Sequence, residues 1–140
     1  VKFPIVVDCS YVAAFFLRED AGDRFEKTLS LFMEGACTLW VPELFYTEMQ
    51  NVFLMAWRRK RIPRRDLHAC CSDLHSLPLQ VPHLDRKQHG MQILHVAEKW
   101  DLTFYDATYL ALTMQLNATL KTFDRDLLKL QSEFDWIQSH

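Results

Sequence analysis

The sequence predicts an α/β fold, one mostly parallel central sheet flanked by helices on both faces. Three observations predict it. Short apolar, β-branched runs alternate with segments of helical spacing along the whole chain. The strand runs are continuously apolar rather than alternating in and out, as in strands buried on both faces. Only three glycines occur, and no linker, repeat or low-complexity tract interrupts the chain, so a single domain over residues 1–140 is expected.

Phe3–Val7 reads as a buried strand ending at Asp8. Residues 10–17 and 23–34 carry helical spacing, the second with Phe25, Leu29 and Phe32 at i, i+4 and i+7. Residues 38–41 read as a second strand, closed by Pro42. Residues 44–61 form a long helix stopped before Pro63, and residues 64–77 another stopped before Pro78. Residues 79–81 make a third strand, and Arg86–Trp100 a helix. Thr103 and Phe104 read as a strand stub before a helix over 107–116. Residues 119–122 are a strand, 124–130 a short helix, and Trp136 with Ile137 an edge strand.

The composition is 49% hydrophobic and 24% charged, which excludes a disordered chain. The longest unbroken apolar run, residues 11–17, is far short of the ~20 residues a membrane span needs. Neither membrane association nor export is expected, and the expected location is cytoplasmic. With 16 basic against 18 acidic residues, any nucleic-acid binding must use a local patch. Cys9, Cys37, Cys70 and Cys71 show no paired spacing and read as free thiols of a reducing compartment. There is no Gly-x-Ser-x-Gly elbow and no Gly-rich phosphate loop. His83, His89 and His95 recur every six residues, a spacing that does not align them on one helix face.

In a parallel sheet the ligand site lies beyond the carboxyl ends of the strands. Asp8 ends the first strand there, and Asp124 follows the strand over 119–122. Asp106 opens a helix, and Glu48 lies about one turn into the long helix after Pro42. Taken singly, acids at helix starts are ordinarily caps. Taken together, they suit a hard divalent cation such as Mg²⁺, which wants oxygen ligands and few protein carboxylates. Such a cation neutralises a phosphodiester and activates a bound water. Ser10 and Thr122 stand two residues from Asp8 and Asp124, where a hydroxyl either orients a carboxylate or simply caps a turn.

These residues resemble the PIN-domain ribonucleases, and among them the VapC-type toxins of bacterial toxin–antitoxin pairs. The resemblance rests on Val6-Val7-Asp8-Cys9-Ser10, on Pro42 with Glu48 and Asn51, and on two later blocks. Those blocks are Tyr105-Asp106-Ala107-Thr108-Tyr109-Leu110-Ala111-Leu112 and Leu120-Lys121-Thr122-Phe123-Asp124-Arg125-Asp126-Leu127. They occur in the family's order and span nearly the whole chain. The resemblance implies a PIN-like three-layer sandwich and Mg²⁺- or Mn²⁺-dependent endoribonuclease activity that leaves a 5′-phosphate. It implies Asp8, Glu48, Asp106 and Asp124 as the metal-centred acids, and Asn51 as substrate-facing or supporting. Asp126 is a weaker candidate, with a surface role favoured. Asp101 and Asn117 stand where many relatives carry glycine, a departure that left-handed turns tolerate. The family implies an RNA substrate and a cognate antitoxin; the runner-up reading is a catalytically silent PIN-like module that binds RNA or protein. A haloacid-type phosphoryl-transfer site would need a second Asp where Ser10 stands.

Arg58, Arg59, Lys60, Arg61, Arg64 and Arg65 gather around Pro63. They complement a helix end, guide an RNA backbone toward the acids, or grip an acidic partner. On the same helix Phe45, Met49, Val52, Phe53 and Ala56 make a core stripe, while Tyr46, Leu54 and Trp57 lie on another flank. A helix apolar nearly all round is either buried or part of an interface. The expected interface is a homodimer, an antitoxin contact or both, with Arg58, Arg59, Arg61 and Trp57 as contact residues.

Overall fold

The computed structural model describes residues 1–140. Its strands are β1 (Phe3–Val7), β2 (Cys37–Trp40), β3 (Leu79–Gln80), β4 (Thr119–Lys121) and β5 (Ile137–Gln138). They lie in the order β3-β2-β1-β4-β5, and every neighbouring pair is parallel. The helices are α1 (Cys9–Phe16), α2 (Asp23–Met33), α3 (Leu44–Arg58) and α4 (Arg64–Leu74) in the first half. α5 (Arg86–Trp100), α6 (Phe104–Leu116) and α7 (Arg125–Leu128) follow.

The strand order places the site. From β1 the chain steps outward to β2 and β3, then jumps back across β1 to β4. Right-handed crossovers therefore put α1–α4 on one face and α5–α7 on the other, a three-layer α/β sandwich. The packing agrees, since α1 meets α2 and α3 while α6 meets α5 and α7. The direction reverses at β1, so its carboxyl end, at Asp8, is the point where the strand order switches.

The continuous apolar runs are buried on both faces: Val6, Val7, Leu39 and Leu120 are all fully covered. α6 is buried over every residue from Ala107 to Thr113, which makes it the central helix of its layer. On α3, Phe45, Met49, Phe53 and Ala56 are buried, while Val52 of the expected stripe is half-buried. No helix is long and apolar enough to cross a membrane.

Several boundaries differ from the sequence expectation. Thr103 and Phe104 form no strand: Thr103 caps α6, its hydroxyl accepting the Asp106 N–H at 3.1 Å, and Phe104 is already helical. Thr103-x-x-Asp106 is a capping signal that outweighs the β preference of two residues. α3 ends at Arg58 rather than at 61, because Lys60 turns left-handed (φ 61°) two residues before the helix can reach Ile62. α4 ends at Leu74 rather than at 77. Asp101 and Asn117, both at φ 53°, terminate α5 and α6 in the left-handed conformation expected of them.

Candidate metal centre

β1 delivers Asp8 to this switch point, where its N–H still bonds Lys121 O at 3.2 Å and prolongs the β1–β4 ladder. Asp8 also caps α1: Oδ1 accepts the Tyr11 N–H at 3.1 Å and the Ser10 hydroxyl at 2.6 Å. Oδ2 accepts the Thr122 hydroxyl at 2.5 Å. The carboxyl is only 4% exposed. Burial lifts its pKa to about 6, opposed by the hydrogen bonds of Ser10, Thr122 and Tyr11 and reinforced by the charge of Asp124.

The same two hydroxyls hold the segment after β4. Ser10 Oγ accepts the Phe123 N–H at 2.8 Å, and Thr122 Oγ1 accepts the Asp124 N–H at 2.9 Å. Each hydroxyl spends its proton on Asp8 and its lone pairs on this loop, so Asp8 and Asp124 are positioned by one network. Ser10 and Thr122 therefore bridge the Asp8 carboxylate and the Asp124 loop, Thr122 while also closing the turn into Asp124. Asp124 caps α7 through Oδ1, which accepts the N–H groups of Asp126 at 2.9 Å and Leu127 at 3.2 Å. Its Oδ2 remains available.

Asp106, half-buried in the first turn of α6, faces this loop. Burial raises its pKa to about 6, and the charges of Asp124, Asp126 and Glu48 push in the same direction. Carboxylate oxygens of Asp106, Asp124 and Asp126 all lie within 4.8 Å of one another. Asp126, expected at the surface, is indeed exposed, and its Oδ1 lies 3.5 Å from Lys129 Nζ. It nonetheless stands in the cluster, because it lies in the first turn of α7 with its N–H bonded to the cap, Asp124 Oδ1.

Asp8 and Glu48 flank this trio rather than joining it at that distance. Glu48 is held from the other layer: the Tyr109 hydroxyl donates to its Oε1 at 2.7 Å. Cys9 Sγ lies 3.3 Å from Tyr109 Oη and 3.7 Å from Glu48 Oε1. Burial pushes both the thiol of Cys9 and the phenol of Tyr109 well above their ordinary pKa values, so both stay protonated. Sequence reasoning missed these two roles. The available signals were the i, i+3 spacing of Asp106 and Tyr109 and the adjacency of Cys9 to Asp8.

The remaining expected residues stand apart. Asn51 is exposed, and its side chain makes no hydrogen bond within the chain. Arg58 and Arg59 are exposed at the end of α3 without a carboxylate partner, whereas Arg61 folds back to Glu19 at 3.4 Å. Trp57 is exposed, but Tyr46 of the same flank stacks on His75, the residue that follows α4, with centroids 5.4 Å apart. Part of the flank is thus covered within the domain. The largest cleft, about 930 Å³, opens between the end of α1 and α4 and includes Phe15, Glu19 and Asp66, but none of the clustered acids. The acids sit instead at the carboxyl end of the sheet, placed there by β1, α3, α6 and α7.

The donor set is all oxygen and multiply negative, which fits a hard divalent cation of the Mg²⁺ or Mn²⁺ class. Without a cation, it would repel any phosphate group.

A family model described as PIN domain matches residues 5–133. Among solved structures the chain is similar to PAE2754 from Pyrobaculum aerophilum, with 25% identity and a TM-score of 0.61 over 91% of this chain and 84% of that one. It is also similar to VapC20 from Mycobacterium tuberculosis, a sarcin-ricin loop cleaving toxin, with 21% identity and a TM-score of 0.59 over 87% and 91% of the two chains. No curated protein matches by sequence.

Proposed function

The chain belongs to the PIN-domain family, and on that premise we propose that it is a divalent-metal-dependent endoribonuclease, the toxin of a type II toxin–antitoxin pair. The observation that carries the reading is the group of Asp106, Asp124 and Asp126 oxygens beside the buried Asp8, at the point where the strand order reverses. Asp106 and Asp124 would hold Mg²⁺ or Mn²⁺, with Asp8 and Glu48 completing the negative shell and Asp126 at its exposed side. Held by these residues, such a cation would supply the charge that neutralises a phosphodiester and would lower the pKa of a water.

The chain's own residues do the positioning. Ser10 and Thr122 aim both oxygens of Asp8 and the backbone of the Asp124 loop. Arg58 and Arg59, solvated beyond the acids on α3, supply the positive charge that an RNA backbone needs near an otherwise acidic rim. The toxin assignment is supported by the fold shared with VapC20, a cleaving toxin. A homodimer or an antitoxin contact would use the exposed Trp57 flank, and the cytoplasm is the compartment that suits four unpaired cysteines. The test is cleavage of a mixed RNA pool by purified protein with Mg²⁺ or Mn²⁺, with and without chelator. Activity that chelator abolishes, and that Asp8→Asn and Asp106→Asn lack, is expected. Equal residual cleavage by wild type and Asp106→Asn would assign the activity to a contaminant and end the proposal.

A further inference from the structure

Four elements bring acids to the site, and one small network joins three of them to each other. Cys9 directly follows Asp8, Tyr109 stands one helical turn past Asp106, and Glu48 is the acid of α3. Their side chains meet across the end of the sheet at 2.7, 3.3 and 3.7 Å. A carboxylate only accepts, so the phenol of Tyr109 gives its proton to Glu48. The thiol of Cys9 has Tyr109 Oη, Glu48 Oε1 and, at 3.6 Å, the Phe45 carbonyl oxygen within its reach, so it lies against both members of that pair. Glu48 Oε1 is thereby committed, while Oε2 has no hydrogen-bond partner within the chain. A glutamate on a helix surface ordinarily samples several rotamers; this one is pinned from two other elements. Tyr109 is 3% exposed, so its hydroxyl cannot turn to water instead.

We propose that Tyr109, backed by Cys9, is a positioning residue that fixes Glu48 at the metal centre, an inference that rests on the nuclease reading. Outer-shell partners of metal-binding carboxylates are worth about ten- to a hundredfold in metal affinity or activity.

The experiment titrates Mn²⁺ alone into the full metal-free chain by calorimetry and measures RNA cleavage in parallel. Tyr109→Phe keeps the ring and removes only the donor. It should weaken Mn²⁺ binding by about tenfold and lower kcat while leaving KM for RNA unchanged. Cys9→Ala should move both quantities the same way by a smaller factor, which keeps the test open if Tyr109→Phe folds poorly. In a Glu48→Gln background, Tyr109→Phe should cost no further Mn²⁺ affinity, because the group it positions is already altered. Wild-type Mn²⁺ affinity in Tyr109→Phe, or the same loss with and without Glu48→Gln, would overturn the inference and leave the nuclease reading standing. A wild type that neither binds Mn²⁺ nor cleaves RNA would overturn the nuclease reading, and this inference with it.

Discussion

Asp106→Asn should make the metal-free protein more stable, not less. The Asp106 carboxyl is half-buried and surrounded by the charges of Asp124, Asp126 and Glu48, and its pKa is raised from 3.8 to about 6. Two pKa units correspond to a ceiling of about 3 kcal/mol of unfavourable ionisation at pH 7. Asp106 is only half-buried, so screening by solvent reduces the expected gain on neutralisation to about 1 kcal/mol. A chain of 140 residues has an unfolding entropy near 0.3 kcal/mol/K, so this corresponds to a rise in Tm of about 3 °C. The sign with pH follows from proton binding. Between pH 3.8 and about 6 the folded wild type holds a proton on Asp106 that the unfolded chain has released. The cost is therefore complete above pH 6 and fades as pH falls through that window, so the two melting curves should converge by about pH 4. The assay is thermal unfolding of both proteins in chelator at pH 7.5, 6, 5 and 4, then at pH 7.5 in millimolar Mg²⁺. Metal should reverse the order, because it binds and stabilises the folded wild type by mass action. A mutant clearly less stable in chelator at pH 7.5 would mean that Asp106 has a cationic partner, and the repulsive-cluster account would fall.

Trp57→Glu should leave the fold intact, since Trp57 is 36% exposed, but weaken self-association or partner binding; an unchanged sedimentation profile with undiminished partner binding would count against the interface. Gly22→Ala should destabilise the domain by about 1–3 kcal/mol in denaturant titrations without changing Mn²⁺ affinity. A Cβ there would stand 2.6 Å from Ala14 O and 2.8 Å from Phe15 Cα, backbone that cannot yield cheaply. Asp126→Asn should reduce cleavage less than Asp106→Asn does, because its exposed carboxylate lies toward Lys129 at 3.5 Å. Equal losses in a side-by-side rate measurement would make Asp126 a full member of the centre.

The sheet was legible because its strands are buried on both faces, and a run such as Ile5-Val6-Val7 has no other easy reading. The left-handed caps at Asp101 and Asn117 were legible for a similar reason, since few residue types accept that conformation. Helix ends were less so. The end of α3 depends on Lys60 adopting a positive φ, and nothing in the lysine side chain announces it. For the site, Asp8 could be read from a strand end, Asp106 and Asp124 from helix starts and Glu48 from its place one turn into a helix, and their convergence was expected. The detail of the grouping could not be read. Whether Asp124 and Asp126 meet Asp106 depends on how the start of α7 packs against α6, and whether Glu48 is free or pinned depends on Tyr109 arriving from the opposite layer. Those are facts of tertiary packing that local spacing does not encode.

The central claim is that these acids hold a divalent cation, and locating Mn²⁺ by anomalous scattering in crystals of the metal-soaked protein tests it most directly. A peak is predicted among Asp106, Asp124 and Asp126, with at least two of their oxygens at roughly 2.0–2.2 Å, typical of inner-sphere coordination by a small divalent cation. It should be absent in Asp106→Asn. A well-occupied Mn²⁺ elsewhere on the chain, with none at this cluster, would contradict the account.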